Sequence, residues 1–371
     1  MIDFNTMFRS SSVSVLLLIF YFLYVEGYLS TQLRSCHNKL SLNKFYVYKY
    51  RHELTLYTSK RTDDYAKYMQ ENESWGGPII GPIIRYLNSA VLGIVFSILF
   101  KIKNKFTVYG KDLLLKYIFK RNKLNKGKKI PLLTVSNHKS MLDDPGLWTL
   151  LPFLFMRPNK FRWVFCTEDV FFANKYLSKI FAWGNVMPLD RHGSITQPMF
   201  DVLRNKLLQG SWCHIFIEGR VWQDWRFQEN IYTPRLGPLK LGTARLIAHC
   251  DIDQLPVVIP MYHRGLDNVF PEIVIPNAKN SDRSKVKSFK PLGNQHIELY
   301  IGDPIDFTPI LSQFRDKHPG MIENYGRITF ELIELYIDIT RIIKYKMIAL
   351  EKKAYKKDRE DAINDANYCT I

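Results

Sequence analysis

From residue 129 onward, short β-rich runs alternate with helical stretches. That alternation restricts the chain to an α/β fold with a largely parallel central sheet, because parallel strands need helical crossovers. Strands are expected at 129–135, 161–166, 186–189, 212–217, 256–262 and 297–301. Helices are expected at 145–155, 173–183, 197–208 and 239–249. Residues 277–295 read as a polar, basic loop with glycine and proline breaks. From 321 to about 357 a long helix follows, with Ile333, Tyr336, Ile337 and Thr340 at helical spacing.

The 371 residues, 46% hydrophobic and 23% charged, exclude global disorder and leave ample chain for a core. Five cysteines form no C-x-x-C pair, and no His-Glu-x-x-His occurs. A zinc ribbon, a dense disulfide scaffold and a zinc protease are therefore not expected, and neither is any bound metal.

The net charge of +17 calls for an anionic partner. Eleven Lys and Arg residues fall between Lys101 and Ile130 against one acid, Asp112. Directly before this belt runs the apolar stretch Ala90 to Phe100. An apolar segment followed by a polybasic one suits an anionic membrane surface, at about 1 kcal/mol per basic residue close to it. Eleven residues are too few to span a bilayer, so an interfacial or re-entrant segment is expected, lengthened by Pro78 to Ile84. An ordinary core helix with a charged neighbour is the plainer alternative. No zinc-finger, RNA-recognition or basic-zipper pattern supports nucleic-acid binding. A second apolar run, Val13 to Val25, reads either as a signal-peptide core or as an uncleaved anchor.

The segment carrying chemistry is Ser136-Asn-His-Lys-Ser-Met-Leu-Asp-Asp-Pro-Gly-Leu-Trp148. It follows the first strand, where α/β sheets place their ligands. Asp144-Pro145 reads as a helix start with Asp144 at the N-cap, which leaves Asp143 free. A carboxylate there can hold one ring nitrogen of His138 and stabilise its imidazolium, so that the other nitrogen takes a proton from a hydroxyl. No Gly-x-Ser-x-Gly elbow is present, so the nucleophile is expected on the substrate. Glu218-Gly219 ends a buried strand; Gly219 permits close backbone approach, and Arg220 and Arg191 offer forks for a phosphate. Surface ion pairing is the competing role for each arginine, and capping or ion pairing for Glu218. His263 is expected to be structural or substrate-lining, and His214 and His249 to be packed or exposed.

Asn137-His138-x-x-x-x-Asp143 resembles the signature block of the glycerolipid acyltransferases, which acylate lysophospholipids. Three further blocks follow in order: Gly184 to Arg191, Gly210 to Arg220, and Val258 to Pro271. The resemblance implies catalytic His138 and Asp143, and substrate binding by Arg191, Glu218, Gly219 and Arg220. Asp143-Asp-Pro-x-Leu-Trp148 is similar to the branch that moves acyl groups between phospholipids and lysophospholipids and remodels cardiolipin without a cofactor. Pro188-Leu-Asp-Arg191 is similar to the acyl-CoA-dependent branch, which acylates 1-acylglycerol-3-phosphate or other lysophospholipids, so both donors stand open. The implied partners are phospholipids, lysophospholipids and an anionic membrane surface. The implied location is mitochondrial, with an endomembrane or plastid-type organelle as the alternative through the N-terminal run. The chain then divides into a targeting or anchor extension (1–74), an acyltransferase domain (75–320) containing the interfacial segment 78–100, and a C-terminal helix with a charged tail (321–371).

Overall fold

The computed structural model describes residues 67, 69–71, 77–124, 129–148, 161–168, 172, 175–190, 193–223, 235–274, 284–286, 291–323, 328–356 and 358. The apolar run 13–25, Arg191 and part of the 277–295 loop lie outside the described residues.

Strands are β1 (Lys105–Tyr109), β2 (Leu132–Ser136), β3 (Trp163–Thr167), β4 (Val186–Leu189), β5 (Trp212–Phe216), β6 (Val257–Arg264), β7 (Glu272–Val274), β8 (Ser284–Val286) and β9 (His296–Ile301). Helices are α1 (Gly77–Ser97), α2 (Lys111–Leu124), α3 (Asp143–Trp148), α4 (Lys175–Trp183), α5 (Pro198–Leu208), α6 (Gly242–Ala248), α7 (Leu266–Val269), α8 (Thr308–Lys317) and α9 (Phe330–Ala354). Seven strands form one sheet in the order β1-β9-β6-β2-β5-β3-β4. Its five strands from β6 to β4 are mutually parallel, β9 runs antiparallel to β6, and β1 is parallel to β9. The α/β fold with a largely parallel sheet is thus the observed one.

Alternation along the central strands builds a layer on each face. Leu133, Val135, Cys213, Val258 and Tyr262 join one core with residues of α5, α6 and α9. Leu132, Trp212, Ile259 and Met261 join a second core with Leu92 of α1, Leu114 and Ile118 of α2, and Leu147 of α3.

Helix α9 buries Leu332, Leu335, Tyr336, Ile339, Ile343, Met347 and Leu350 at three- and four-residue spacing and packs against β6 and α6. It starts at Phe330, later than the sequence pattern suggested. The Thr329 hydroxyl accepts the Leu332 N–H at 3.3 Å and so supplies the N-cap.

The basic belt is not simply a solvated stretch: it contains β1 and all of α2. Arg121, counted among its eleven cations, turns inward. Its guanidinium donates to the carbonyls of Ile130, Tyr117, Ile118 and Gly210 at 2.7–3.1 Å.

The apolar stretch 90–100 and Pro78 to Ile84 are joined in one helical run, α1 continued by a π turn over Ile98–Ile102. By length and composition Gly77–Ile102 could cross a membrane, although 35% of its most apolar window is buried in the protein. Arg85 donates to Asn185 Oδ1 at 2.9 Å and Asn88 to the Ile180 carbonyl at 3.2 Å, which tie α1 to α4 and the turn after it. Ile79, Ile80, Ile83, Leu87, Val91 and Ile94 remain exposed.

Candidate active site

Strands β2, β5 and β6 are parallel and end on the same edge of the sheet. At that edge Asn137 extends the β2–β6 ladder with its side chain. Its amide donates to the His263 carbonyl at 2.8 Å, and its Oδ1 accepts the His263 N–H at 2.9 Å. His138 is the next residue, and its backbone is held on both sides. Its N–H donates to Glu218 Oε2 at 2.5 Å, and its carbonyl accepts the Trp222 N–H at 2.7 Å.

The chain then turns sharply enough to bring Asp143 back under the ring. Asp143 Oδ2 accepts from His138 Nδ1 at 2.8 Å, from the Lys139 N–H at 2.6 Å and from the Ser140 N–H at 2.9 Å. The Asp143 side chain is fully buried, while that of His138 is 21% exposed. With Nδ1 donating to the carboxylate, the tautomer is set and Nε2 carries the lone pair. The imidazole stacks on Phe216, centroids 4.4 Å apart and 22° between planes.

Helix α3 begins at Asp143, two residues before the expected start at Pro145. Asp144 is therefore inside the first turn rather than at the N-cap. Its carboxylate pairs with the guanidinium of Arg162, whose Nη1 also donates to the Gly184 carbonyl at 2.9 Å. The N-cap role was outcompeted by a buried ion pair with a residue 18 positions away.

Glu218 is 1% exposed, and each of its oxygens is committed to a backbone amide. Oε2 takes His138 and Oε1 takes Gly237 at 2.5 Å. Burial pushes its carboxyl up to about 7, against the opposing pull of those N–H groups and Lys139. His263 Nε2 donates to the Asn137 carbonyl at 2.9 Å and lies 3.5 Å from Asp143 Oδ2; burial lowers its pKa and keeps it neutral. His214 bonds Thr134 Oγ1 at 2.8 Å and Ser136 Oγ at 3.2 Å, and burial holds it well below the usual imidazole range. Both act as packing residues of the sheet.

The family model described as Acyltransferase matches residues 105–260. An N-acylphosphatidylethanolamine synthase of Arabidopsis thaliana is 38% identical over 205 residues, 55% of this chain and 64% of that protein. A tafazzin of Drosophila melanogaster is 30% identical over 258 residues, 69% of this chain and 60% of that protein. The Dictyostelium discoideum protein named taffazin is 31% identical over 239 residues, 63% of this chain and 78% of that protein. The chain belongs to the tafazzin family. It spans 64% and 60% of the Arabidopsis and Drosophila proteins.

The candidate site of this tafazzin-family chain is also held by residues that carry no signal in the sequence pattern. Lys139 is 1% exposed, and its Nζ donates to the Arg235 carbonyl at 2.7 Å. Arg162 anchors α3 from β3's leading edge. Such partners lie 18 and 96 positions away in sequence, and no local periodicity reports on them. Gly219 adopts φ +65°, which favours glycine, and is exposed. Arg220 is exposed beside it, with its guanidinium 4.1 Å from the Trp222 ring.

Proposed function

We propose that the protein is a membrane-bound phospholipid–lysophospholipid transacylase in which His138 is the general base. The observation that carries this reading is the 2.8 Å contact between His138 Nδ1 and an Asp143 carboxylate that two backbone amides hold in place. His138 Nε2 takes the proton from a lysophospholipid hydroxyl as that oxygen bonds to the ester carbonyl carbon of a second phospholipid. Asp143 stabilises the imidazolium so formed. Collapse of the tetrahedral intermediate breaks the donor's ester bond, and His138 returns the proton to the departing oxygen. One lipid is acylated and the other becomes a lysophospholipid, with no cofactor consumed.

Arg191 and Arg220 bind lipid phosphate in this scheme, with Gly219 allowing close approach. Glu218 acts on the position of His138. The exposed apolar face of α1 lies in the membrane interface while its other face packs on α3 and α4. Residues 1–74 address the protein, and 321–371 form a C-terminal helix and charged tail. Mitochondrial placement and cardiolipin as acceptor follow the tafazzin relatives, and a fluorescent fusion with and without residues 1–74 tests the placement.

The 38% identical Arabidopsis relative supports a second reading, in which the acceptor is the amine of phosphatidylethanolamine. The same base would remove the amine's proton. Purified protein is incubated in liposomes with acyl-labelled phosphatidylcholine and either monolysocardiolipin or phosphatidylethanolamine, without CoA. Labelled cardiolipin supports the transacylase, and labelled N-acylphosphatidylethanolamine supports the second reading. Transfer from acyl-CoA alone refutes both in favour of a CoA-dependent acyltransferase.

A further inference from the structure

Helix α9 lies outside the region matched by the family model, yet its last turns are wired to the His138 loop. The connection runs through a short strap, Arg235-Leu-Gly237. Glu351, 1% exposed on α9, accepts the Arg235 N–H on Oε1 at 2.7 Å. The Arg235 carbonyl accepts Lys139 Nζ at 2.7 Å, and the Gly237 N–H donates to Glu218 Oε1 at 2.5 Å. Lys139 adjoins His138 in sequence and gives its own N–H to Asp143 Oδ2 at 2.6 Å. Glu218 holds the His138 N–H at 2.5 Å. The strap is further secured by Leu236, 6% exposed in the main core, and by the Arg235 guanidinium 4.4 Å from the Tyr355 ring just beyond α9.

We propose that Glu351 is a positioning residue for His138, acting through the strap Arg235–Gly237 on Lys139 and Glu218. The two strap groups reach the catalytic loop at two separate points. One goes to the residue after His138, the other to the carboxylate that holds the His138 amide. Freeing the strap at Arg235 loosens both at once. A small misplacement of a base is costly to the chemical step and nearly silent in substrate binding, because the proton-transfer distance is what changes.

The inference rests on the acyl-transfer reading only for its kinetic arm. The full-length protein is compared with Glu351→Gln, which keeps an acceptor oxygen, and Glu351→Leu, which does not. Lys139→Met is a second disruption from the other side of the strap. Backbone hydrogen exchange by mass spectrometry compares residues 137–141 with strand residues 132–136. In Glu351→Leu and Lys139→Met the loop exchanges at least about tenfold faster while the strand stays within about twofold, and Glu351→Gln matches the wild type. In the transfer assay, kcat falls at least about tenfold in Glu351→Leu with KM unchanged, and Glu351→Gln restores it. Unchanged loop exchange, or equal acceleration of loop and strand, overturns the proposal. Selective loop acceleration in the variants, with a wild type that itself transfers no acyl group, refutes the acyl-transfer reading and leaves the strap standing.

Discussion

The Glu218 carboxylate accepts the backbone N–H of His138 at 2.5 Å across eighty positions of sequence, with its other oxygen taken by Gly237. Each oxygen faces a donor, so an amide in its place must present an N–H to one of them. Glu218→Gln is therefore expected to lower the transfer rate at least about tenfold while leaving KM within about twofold. Steady-state kinetics on both proteins check this.

The same carboxyl gives a signed pH prediction. Its folded pKa of about 7 exceeds the ordinary value of 4.5, so the folded state holds the proton more tightly. Stability from this group is fully present below about pH 4.5 and is lost as pH rises through 7, by at most about 3 kcal/mol. His249, lowered to about 4 by burial, works in the opposite direction between 4 and 6.5; burial lowers His214 and His263 too, and they share its sign. Subtracting the Glu218→Gln profile removes those shared contributions. Denaturant unfolding of both proteins at pH 5 and 7.5 should show the wild type losing stability relative to the variant; an unchanged difference contradicts the assignment.

Asp143 serves three donors with one oxygen, and its charge faces the imidazolium that forms in the reaction. Asp143→Asn keeps the volume and removes the charge. Transfer should fall by about 10²–10⁴-fold, in the range of carboxylate-to-amide changes beside a catalytic histidine. A loss smaller than about tenfold would remove Asp143 from the mechanism. Circular dichroism reports whether the fold is kept.

Much of the dyad could be read from the sequence because its two members share one turn after one strand. Asn137, His138 and Asp143 sit within seven residues, and the hydrophobic run of β2 marks the strand end before them. The partners that fix the dyad are dispersed. Glu218 was recognisable as a strand-end carboxylate, but only the fold shows both oxygens turned to backbone amides. Lys139 and Arg121 look like ordinary surface cations until the distant carbonyls of Arg235 and Gly210, 96 and 89 positions away, are in place. The strand β1 escaped notice because its lysine-flanked residues form the sheet's edge and are only half-buried. Helix α2 escaped because its strongly basic composition masks the buried stripe of Leu114 and Ile118. The early start of α3 reflects a tertiary contact: Asp144 is drawn to Arg162 rather than to its own helix terminus.

That Arg162–Asp144 pair is nearly dry on the arginine side, 2% exposed, so removing one partner leaves a buried charge. Arg162→Ala is expected to destabilise the protein by about 3–5 kcal/mol. The double change Arg162→Met with Asp144→Leu should recover much of that loss. Thermal unfolding of single and double variants provides the cycle, and purely additive losses would contradict coupling.

Exposed Ile80, Ile83 and Leu87 follow one another at three- and four-residue spacing on α1. Burying such side chains in lipid is worth about 1.5–3 kcal/mol each. Replacing all three by glutamate should weaken binding to anionic liposomes at least about a hundredfold in co-sedimentation. The solution fold, judged by circular dichroism, should persist because these side chains are more than half exposed. Undiminished binding would move the docking surface elsewhere.

In the proposed reaction His138 Nε2 removes the acceptor's proton. That step is tested most directly by the single-turnover rate of CoA-free acyl transfer from labelled phosphatidylcholine in liposomes, wild type against His138→Ala, with matched circular dichroism spectra and liposome binding. The rate in the variant is expected to be at least about 10²-fold lower, the order that general-base catalysis contributes. Equal rates from two equally folded and equally bound proteins would contradict it.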